Sequence, residues 1–400
     1  MLRKKNLNWE RCVIIRNAKI VTMAGKVYEN GCLLTEKTKI KKIADHIDCR
    51  ENGDAVEIDA KGCWVMPGLI DAHCHIGIQE EGLGAEGNDT NEVNKPVTPF
   101  IKGLDAVNPM DSAFHNAIKA GITSVMAGPG SSNVVGGQFV FLKTHGRRID
   151  DMVVLEPAAM KVALGENPKR NYGDNNMMPS TRMSAAAMLR EELDKAQRYA
   201  REKEAGKDGF NYDYRLDCWV PVFRKEIPLK AHVHRADDIL TAIRIAKLYG
   251  LRMTLDHCTE GHLIKDEIKE SGFPAILGPS LASRNKTEIK NMDFKTAGIL
   301  HEAGVKVAIM TDHPVSVIQC LAMCAGIAAK EGLGIEEALR AITINAAEIC
   351  NVASRVGSLE AGKDADIAVF DGNPLETFTH CIYTIINGQI AYKAQENEKD

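Results

Sequence analysis

Apolar and polar residues alternate differently in the middle of the chain and at its two ends. In the middle, short apolar runs alternate with amphipathic stretches of helical period, which predicts β-α-β units and a parallel sheet. The predicted strands lie at 64–70, 124–126, 152–155, 159–163, 229–233, 253–255, 274–277 and 305–310, and the predicted helices at 111–120, 184–203, 235–249, 260–271 and 315–330. These eight strands favour a closed (β/α)8 TIM-like barrel. An open doubly wound sheet is the weaker alternative, because no Gly-x-Gly-x-x-Gly follows the first strand.

Both ends of the chain have the pattern of short strands separated by turn residues. The N-terminal strands are predicted near 13–15, 18–23, 31–34 and 40–44, and the C-terminal strands near 365–370 and 382–391, around a hairpin turn at Asn387-Gly388. One small β-sandwich domain assembled from both termini explains this pattern. We therefore expect an α/β protein in which residues 1–65 and 351–400 form the sandwich and residues 66–350 form the barrel.

Composition narrows the class of protein and its cellular compartment. The net charge of -4 gives no reason to expect nucleic acid or an anionic membrane as a partner. The 11 cysteines are odd in number and lack C-x-x-C spacing, which indicates reduced thiols rather than disulfides. The charged segment Met1–Arg11 and the interruptions at Arg16 and Lys19 fit neither a signal peptide nor a transmembrane helix. These features predict a cytoplasmic protein and disfavour a secreted binding protein.

The most informative motif is His73-Cys74-His75, which ends the first predicted barrel strand. Alternation along a strand sends both imidazoles to the same face. Two imidazoles on one rigid edge suit a divalent transition metal, and barrel active sites lie at the carboxyl ends of the strands. An isolated His-x-His is more often a pair of buried structural histidines, so the position in the barrel carries the argument.

Four further signals recur at later strands. His232 and His234 repeat the His-x-His pattern, His257 directly follows an apolar strand, and Asp312 follows the last barrel strand. Lys161 lies inside an apolar strand, where an unpaired ammonium would be costly. Together, in this order, the residues predict a metal site.

With these motifs the sequence resembles the amidohydrolase superfamily, in the branch that includes imidazolonepropionase. The likeness covers nearly the whole chain. It runs from Pro67–His75 through His232, His257 and Asp312 to Val356–Asp366, a motif that marks the return into the β-domain in that family.

The resemblance implies a ligand set for one or two divalent metal ions. His73, His75 and Asp312 would bind one metal, while His232 and His257 would bind a second or complete a mononuclear site. Zinc is the expected metal, with iron and manganese as alternatives.

Two further positions are implied around these ligands. Members with two metals often bridge them with a carboxylated lysine or a glutamate. Lys161 matches the lysine by position, and Glu166 is the alternative bridge. His234 is expected to contact the substrate or to support the ligands.

The implied reaction is hydrolysis by water. A metal lowers the pKa of bound water from about 15.7 to roughly 7 and polarises a carbonyl. The resemblance gives Asp312 the role of general acid/base, taking a proton from that water and delivering it to the leaving nitrogen. Gly-x-Ser-x-Gly is absent, so no serine nucleophile is expected. We expect a metal-dependent hydrolase that cleaves the C–N (amide) bond of a cyclic amide or of an N-acyl or peptidyl amino acid.

Basic residues near the strand ends predict how a small-molecule substrate is held. Arg170, Arg235 and Arg284 could each anchor a carboxylate, for which the planar guanidinium is suited, although solvated loop charges have the same pattern. The sequence leaves a homo-oligomer open.

Two alternative functions remain. A heterocycle deaminase of the same superfamily generally has a glutamate three residues after the strand-five histidine, but here Arg235 follows His232 at that spacing. Glu260 has that spacing from His257, on the next strand. The other alternative is a non-catalytic barrel acting as a binding or assembly module. Such relatives usually lose metal ligands, whereas this chain keeps them.

Overall fold

The computed structural model describes residues 12–48, 55–206 and 208–395. The segment Met1–Arg11 lies outside the described residues. The strands are β1 (Val13–Val21), β2 (Val27–Glu36), β3 (Lys39–Ala44), β4 (Val56–Asp59), β5 (Trp64–Pro67), β6 (Leu69–Cys74), β7 (Ile122–Ala127), β8 (Val135–Lys143), β9 (Val153–Ala163), β10 (Leu229–Val233), β11 (Met253–His257), β12 (Ala275–Leu277), β13 (Val307–Ile309), β14 (Ile367–Phe370), β15 (Cys381–Ile386) and β16 (Gln389–Lys393). The α-helices are α1 (Ser112–Lys119), α2 (Ile149–Met152), α3 (Glu166–Gly173), α4 (Arg182–Glu204), α5 (Tyr214–Asp217), α6 (Val220–Phe223), α7 (Ala236–Tyr249), α8 (Lys265–Ser271), α9 (Thr296–Glu302), α10 (Leu321–Ala328), α11 (Ile335–Ala341) and α12 (Ile344–Ile349).

Strands β6 to β13 form an eight-stranded sheet in which each strand pairs with its neighbours in sequence. The two ends of the sheet approach each other, because the Asp312 amide donates to the His73 carbonyl at 3.2 Å and the His75 amide donates to the His313 carbonyl at 2.8 Å. The result is a nearly closed barrel, which confirms the predicted architecture in outline.

One barrel strand runs in the opposite direction, so the expectation of eight parallel strands is wrong. Strand β8 is antiparallel to both β7 and β9, while the other neighbouring pairs are parallel. A parallel pair needs a crossover connection of a dozen or more residues, but an antiparallel pair needs only a short loop. The glycine-rich stretch 128–134 is that loop, and no crossover helix lies beside it.

The sequence pattern also misplaced one strand. The runs predicted at 152–155 and 159–163 belong to the single strand β9, and the eighth strand, β8, was not predicted. Pro157 lies between the two runs and lacks a ladder donor, so it does not disrupt β9 but leaves one position without that hydrogen bond. The pairing with β8 is in fact irregular at this point, since Phe139 opposes Ala159 while Phe141 opposes Leu155. Strand β8 is buried throughout and shows no alternation to reveal it.

The second sheet takes strands from both ends of the described chain, as expected. Its order is β16-β15-β14-β5-β1-β2-β3, with β4 also paired to β1, and these strands form one hydrogen-bonded sheet. The predicted run 64–70 is divided between the two sheets, with β5 in this one and β6 in the barrel. Gly68 lies at the division, where a Cβ would stand 2.1 Å from the Thr123 side chain, so only glycine lets the chain pass. The sandwich arrangement stays a prediction.

The interior of the barrel is filled with side chains. Buried residues such as Ile70, Phe139, Phe141, Ile276 and Met310 form one cluster there, joined by Ala346 and Cys350 on and after α12. Because the interior is packed, polar side chains that the strands carry toward the barrel axis collect at the carboxyl ends of the strands.

Neither a disulfide nor a membrane-spanning helix occurs among the residues that the structure describes. The ten described cysteines are free thiols. No helix within the described ranges combines the length and the apolar character needed to cross a bilayer.

A buried ion-pair network links the barrel to the second sheet. Lys143, at the end of β8, contacts the carboxylates of both Asp364 and Asp366, and its Nζ lies 3.0 Å from the Asp364 carboxylate. All three side chains are 3% exposed or less. Burial raises the pKa of Asp364, but Lys143 and Lys39 outweigh that effect and hold its pKa below the ordinary value.

We predict that Lys143→Met destabilises the protein by about 3–5 kcal/mol, because breaking a buried pair leaves uncompensated charge. Urea unfolding followed by circular dichroism measures the change. The matched control is Lys195→Met, which removes an exposed pair with Glu191 and should change stability by less than about 0.5 kcal/mol. Equal unfolding midpoints for the two variants would contradict the proposed link.

Candidate metal centre

The carboxyl ends of the barrel strands bring the predicted ligands together. Potential ligand atoms of His232, His234 and His257 lie within 4.8 Å of one another, and so do those of His73, His257 and Asp312. His257 belongs to both groups, so the two form one continuous cluster. Every one of these side chains is buried.

His73, at the centre of the cluster, is held through its Nδ1 atom. Nδ1 lies 2.8 Å from Asp256 Oδ2, so its proton is shared with that carboxylate and the lone pair of Nε2 faces the cluster. Nε2 lies 3.5 Å from Asp312 Oδ1. Burial, together with the nearby lysines Lys161 and Lys230, holds the pKa of His73 well below its ordinary value. The ring is therefore neutral, which is the form that binds a metal.

Asp256 is itself fixed by further buried groups. Its Oδ1 accepts a hydrogen bond from the Thr254 hydroxyl at 2.8 Å, and its Oδ2 lies 3.3 Å from Lys230 Nζ. Lys230 also donates to the Ala72 carbonyl on β6 at 2.9 Å. These contacts join three strands beneath the ligand histidines.

His75 and His257 are oriented by backbone carbonyls. The Nδ1 atom of His75 donates to the Gly128 carbonyl at 2.7 Å, and that of His257 donates to the Gly278 carbonyl at 3.0 Å. Both contacts place the proton on Nδ1 and leave Nε2 as the free ligand atom. His75 Nε2 lies 3.3 Å from Asp312 Oδ1, which makes this carboxylate the meeting point of His73 and His75.

His232 carries a direct indication that a ligand belongs here. Its Nδ1 atom is buried and has no hydrogen-bond partner among the described residues, while its Nε2 lies 3.3 Å from the Asn167 side-chain amide. Burial and the neighbouring His234 hold the pKa of His232 well below its ordinary value. A buried ring nitrogen without a partner is costly, and the tautomer that carries its proton on Nε2 would satisfy Nδ1 by coordination to a divalent metal. The residues therefore fit a metal.

Lys161 lies beside the histidine at the centre of the cluster. It is fully buried, and its Nζ is 3.3 Å from His73 Nε2. Burial lowers the pKa of Lys161 to about 8. Its backbone is paired in register with Lys230, and both ammonium groups lie over the Phe139 ring, at 5.4 and 5.5 Å from the centroid. The unpredicted strand β8 thus supplies the apolar wall beside this lysine.

Two strand ends adopt backbone conformations that non-glycine residues rarely take. The φ angles are 67° at His257, 47° at Cys258 and 54° at Asp312. Surrounding hydrogen bonds hold these conformations, since Cys258 N donates to the Val233 carbonyl at 2.9 Å and Asp312 N to the His73 carbonyl at 3.2 Å. Such local strain is typical of functional sites.

Two buried carboxylates, Asp71 on β6 and Asp312 after β13, differ in their pKa. Burial raises the pKa of Asp71 to about 7, although the Thr311 hydroxyl and backbone donate to it. Burial also acts to raise the pKa of Asp312, but His257, His75 and Lys161 hold it below the ordinary value. Asp312 is therefore kept as a carboxylate, the form that binds a metal or accepts a proton.

The other residues singled out in the sequence contact partners outside the ligand cluster. The Glu166 carboxylate accepts from the Glu288 amide at 3.3 Å. Arg170 lies 3.6 Å from Asp174, Arg235 lies 2.9 Å from Asp237, and Arg284 donates to the Met292 carbonyl at 2.7 Å. Glu166, Arg170, Arg235 and Glu288 line one cavity of about 550 Å³, whereas Arg284 is not among its lining residues.

Sequence reasoning missed Glu288, which is 1% exposed and lies 3.6 Å from His234 Nε2. It lies in the polar stretch Arg284–Lys290, whose pattern is that of an ordinary surface loop, so no signal marked it. Lys230 and Asp256 could have been identified from the sequence. Each is a charged residue inside an apolar strand, the same signal that identified Lys161.

Comparison with known proteins agrees with this fold. The model of the amidohydrolase family matches residues 223–391. The crystal structure of an amidohydrolase from Thermotoga maritima is 37% identical, with a TM-score of 0.91, over 96% of this chain and 100% of that one. The chain therefore belongs to the amidohydrolase superfamily, in its imidazolonepropionase-related branch, whose members are hydrolases acting on C–N bonds.

Two curated relatives are more distant. The imidazolonepropionase of Shouchella clausii is 24% identical over 88% of this chain and 82% of that protein. Amidohydrolase tasK of Hapsidospora irregularis is 26% identical over 86% of this chain, but the match spans only 38% of tasK.

We predict that Asp256→Asn weakens metal binding by about 10- to 100-fold, because the carboxylate that orients His73 is lost. Titration of the apoprotein with zinc, followed by calorimetry, measures the affinity. Asp293→Asn is the control, since Asp293 is exposed and bonds to the Lys295 amide in its own turn. Unchanged zinc affinity in Asp256→Asn would contradict the role given to this contact.

Proposed function

We propose that the protein is a metal-dependent hydrolase that cleaves the amide bond of a cyclic amide or of an N-acyl or peptidyl amino acid. The observation that carries the proposal is the convergence of three imidazoles on one carboxylate. His73, His75 and His257 each bind a partner through Nδ1, which leaves Nε2 as the ligand atom. Nε2 of His73 and of His75 lies 3.5 and 3.3 Å from Asp312 Oδ1, and potential ligand atoms of His73, His257 and Asp312 lie within 4.8 Å of one another.

The ligand set supports one or two divalent ions. His73, His75 and Asp312 would hold one ion, and His232 with His257 would hold the other. Imidazole and carboxylate donors suit zinc and also accept iron or manganese. A metal bound here would supply a water of lowered pKa and polarise the scissile carbonyl.

Asp312 is the group proposed to move the proton. It is a buried carboxylate of lowered pKa, and Oδ1 lies 3.3 Å from His75 Nε2. In this position it can accept a proton from the attacking water and return it to the leaving nitrogen, which departs as a neutral amine. The backbone hydrogen bond from Asp312 to His73 keeps the carboxylate beside the ligands.

Lys161 is proposed to bridge the ions as a carbamate. Carboxylation needs a neutral amine to attack carbon dioxide, with loss of a proton, and burial lowers the pKa of this lysine toward that form. Glu166 is the weaker candidate, because its carboxylate is engaged with the Glu288 amide.

The geometry favours amide hydrolysis over deamination of a heterocycle. Glu260 is the glutamate with deaminase-like spacing, but its two oxygens accept from the Ala236 amide and the Asn291 side chain, both at 2.8 Å. The Glu260 carboxylate therefore links the segments that carry Ala236 and Asn291. The retained ligand set and the membership in a family of hydrolases weigh against a non-catalytic module.

Metal analysis is the first test of this function. We predict that freshly purified protein contains about one or two equivalents of a divalent metal, and that His73→Ala and Asp312→Ala contain less and lose hydrolysis of N-acyl amino acids, dipeptides and cyclic amides. His115→Ala, an exposed histidine on α1, should match the wild type in both measurements. Wild-type protein that stays metal-free after incubation with zinc, iron and manganese would rule out the mechanism.

The bridge is tested by the supply of carbon dioxide. We predict that wild-type apoprotein reconstituted with zinc takes up about two equivalents in bicarbonate buffer and fewer in bicarbonate-free buffer. Lys161→Met should take up the lower amount in both, because it cannot form a carbamate. Elemental analysis measures the uptake, and equal zinc content of wild type and variant in bicarbonate would exclude a lysine bridge.

A further inference from the structure

Glu288 presents a buried carboxylate oxygen that accepts no hydrogen bond from the residues that the structure describes. The side chain is 1% exposed, and its Oε2 atom accepts from the Glu166 amide at 2.8 Å. Oε1 is also buried, but it has no hydrogen-bond partner among the described residues. Leaving a buried charged acceptor unpaired is expensive, so Oε1 is suited to a donor from outside the chain.

A second unpaired acceptor lies beside it. His234 Nε2 is buried, has no partner within the described part of the chain, and is 3.6 Å from Glu288 Oε1. The Nδ1 atom of the same ring lies 2.7 Å from the Thr259 hydroxyl. A proton on Nδ1, donated to Thr259, leaves a lone pair on Nε2 next to the carboxylate.

The neighbouring donors are already engaged or too far away. Lys286 Nζ lies 4.0 Å from Glu288 Oε1, beyond hydrogen-bond distance, and it donates to the Asn167 side-chain oxygen at 2.9 Å. The Asn167 amide nitrogen lies 2.7 Å from the Ser131 hydroxyl. The acceptor pair of Glu288 and His234 therefore remains free for a ligand.

A primary ammonium matches this pair better than other groups. It offers three donors and no acceptor, so it can bond to both atoms at once, and a bond to a carboxylate is charge-assisted. A hydroxyl offers one donor, and a carboxylate would be repelled by Glu288. The pair also lies close to the ligand cluster, since Glu288 Oε1 is 3.9 Å from His232 Nε2.

We propose that Glu288 and His234 recognise a primary amine next to the scissile carbonyl. The substrates are then aminoacyl or peptidyl compounds with a free amine, preferred over the same compounds carrying an N-acyl group. An amine two bonds from the carbonyl carbon is near enough to reach Glu288 when the carbonyl is at the metal ligands. This inference rests on the proposed function and chooses among the substrates left open there.

The test compares two ligands that differ only at the amine. Leucine hydroxamate and N-acetyl-leucine hydroxamate share the group that chelates a metal. We expect calorimetry on the zinc-loaded wild type to show that the free-amine ligand binds at least roughly tenfold more tightly. In Glu288→Gln the ratio of affinities should fall close to one, because an amide nitrogen replaces Oε1 while the remaining oxygen can still accept from Glu166.

Two measurements separate recognition from structural damage. Glu192→Gln alters a half-buried carboxylate that accepts from the Trp219 indole at 2.9 Å, far from the ligands in the fold, and should keep the wild-type ratio. Zinc content should be the same in Glu288→Gln and wild type.

The other possible outcomes each contradict the amine site, and they show whether the proposed hydrolase function fails with it. Equal affinities of the two hydroxamates in wild type, or a wild-type ratio in Glu288→Gln, would refute amine recognition while leaving the hydrolase function intact. Loss of zinc from Glu288→Gln would make Glu288 a metal ligand instead. Binding of neither hydroxamate by zinc-loaded protein would count against both the amine site and the proposed function.

Discussion

The contact between His73 and Asp256 is the interaction on which the rest of the site depends. It orients the His73 imidazole, whose Nε2 atom lies near both Lys161 Nζ and Asp312 Oδ1. Asp256 can hold this position only because Thr254 and Lys230 fix its two oxygens, and Lys230 in turn bonds to the backbone of the strand that carries His73. The orientation of the central ligand is thus fixed by contacts in the barrel interior, below the loops.

The two buried lysines in the barrel interior, Lys230 and Lys161, differ in whether an opposite charge is paired with them. Lys230 is paired directly with Asp256, whereas Lys161 makes its one hydrogen-bond contact among the described residues with the His73 ring nitrogen. The contact with the imidazole lone pair is favourable, but a buried ammonium beside bound divalent cations would be repelled by them. Conversion of Lys161 to a carbamate would replace that positive charge with a negative one between the proposed ions. The burial of Lys161 therefore gives an electrostatic argument for the proposed modification.

Much of this architecture could be predicted from the sequence, and the failures have physical causes. The histidines and Asp312 were singled out because they lie within or shortly after apolar strands. A polar group buried there is costly unless it has a partner. Strand β8 was missed because both of its faces are buried and its start contains two glycines, so neither period nor composition marks it. Glu288 was missed for a different reason. Its burial arises when a surface-like loop folds over the strand ends, and that depends on tertiary contacts which a local pattern does not contain.

The second sheet has a consequence for how the chain is made. Pro67 on β5 pairs with Ile367 on β14, a partner 300 positions later in the chain. At a translation speed of about 5–20 residues per second, the N-terminal strands wait roughly 15–60 s for that partner to leave the ribosome. During this interval the edge of β5 is open to pairing with other chains. The completed protein no longer shows this edge, so the exposure belongs only to the time when the chain is being made.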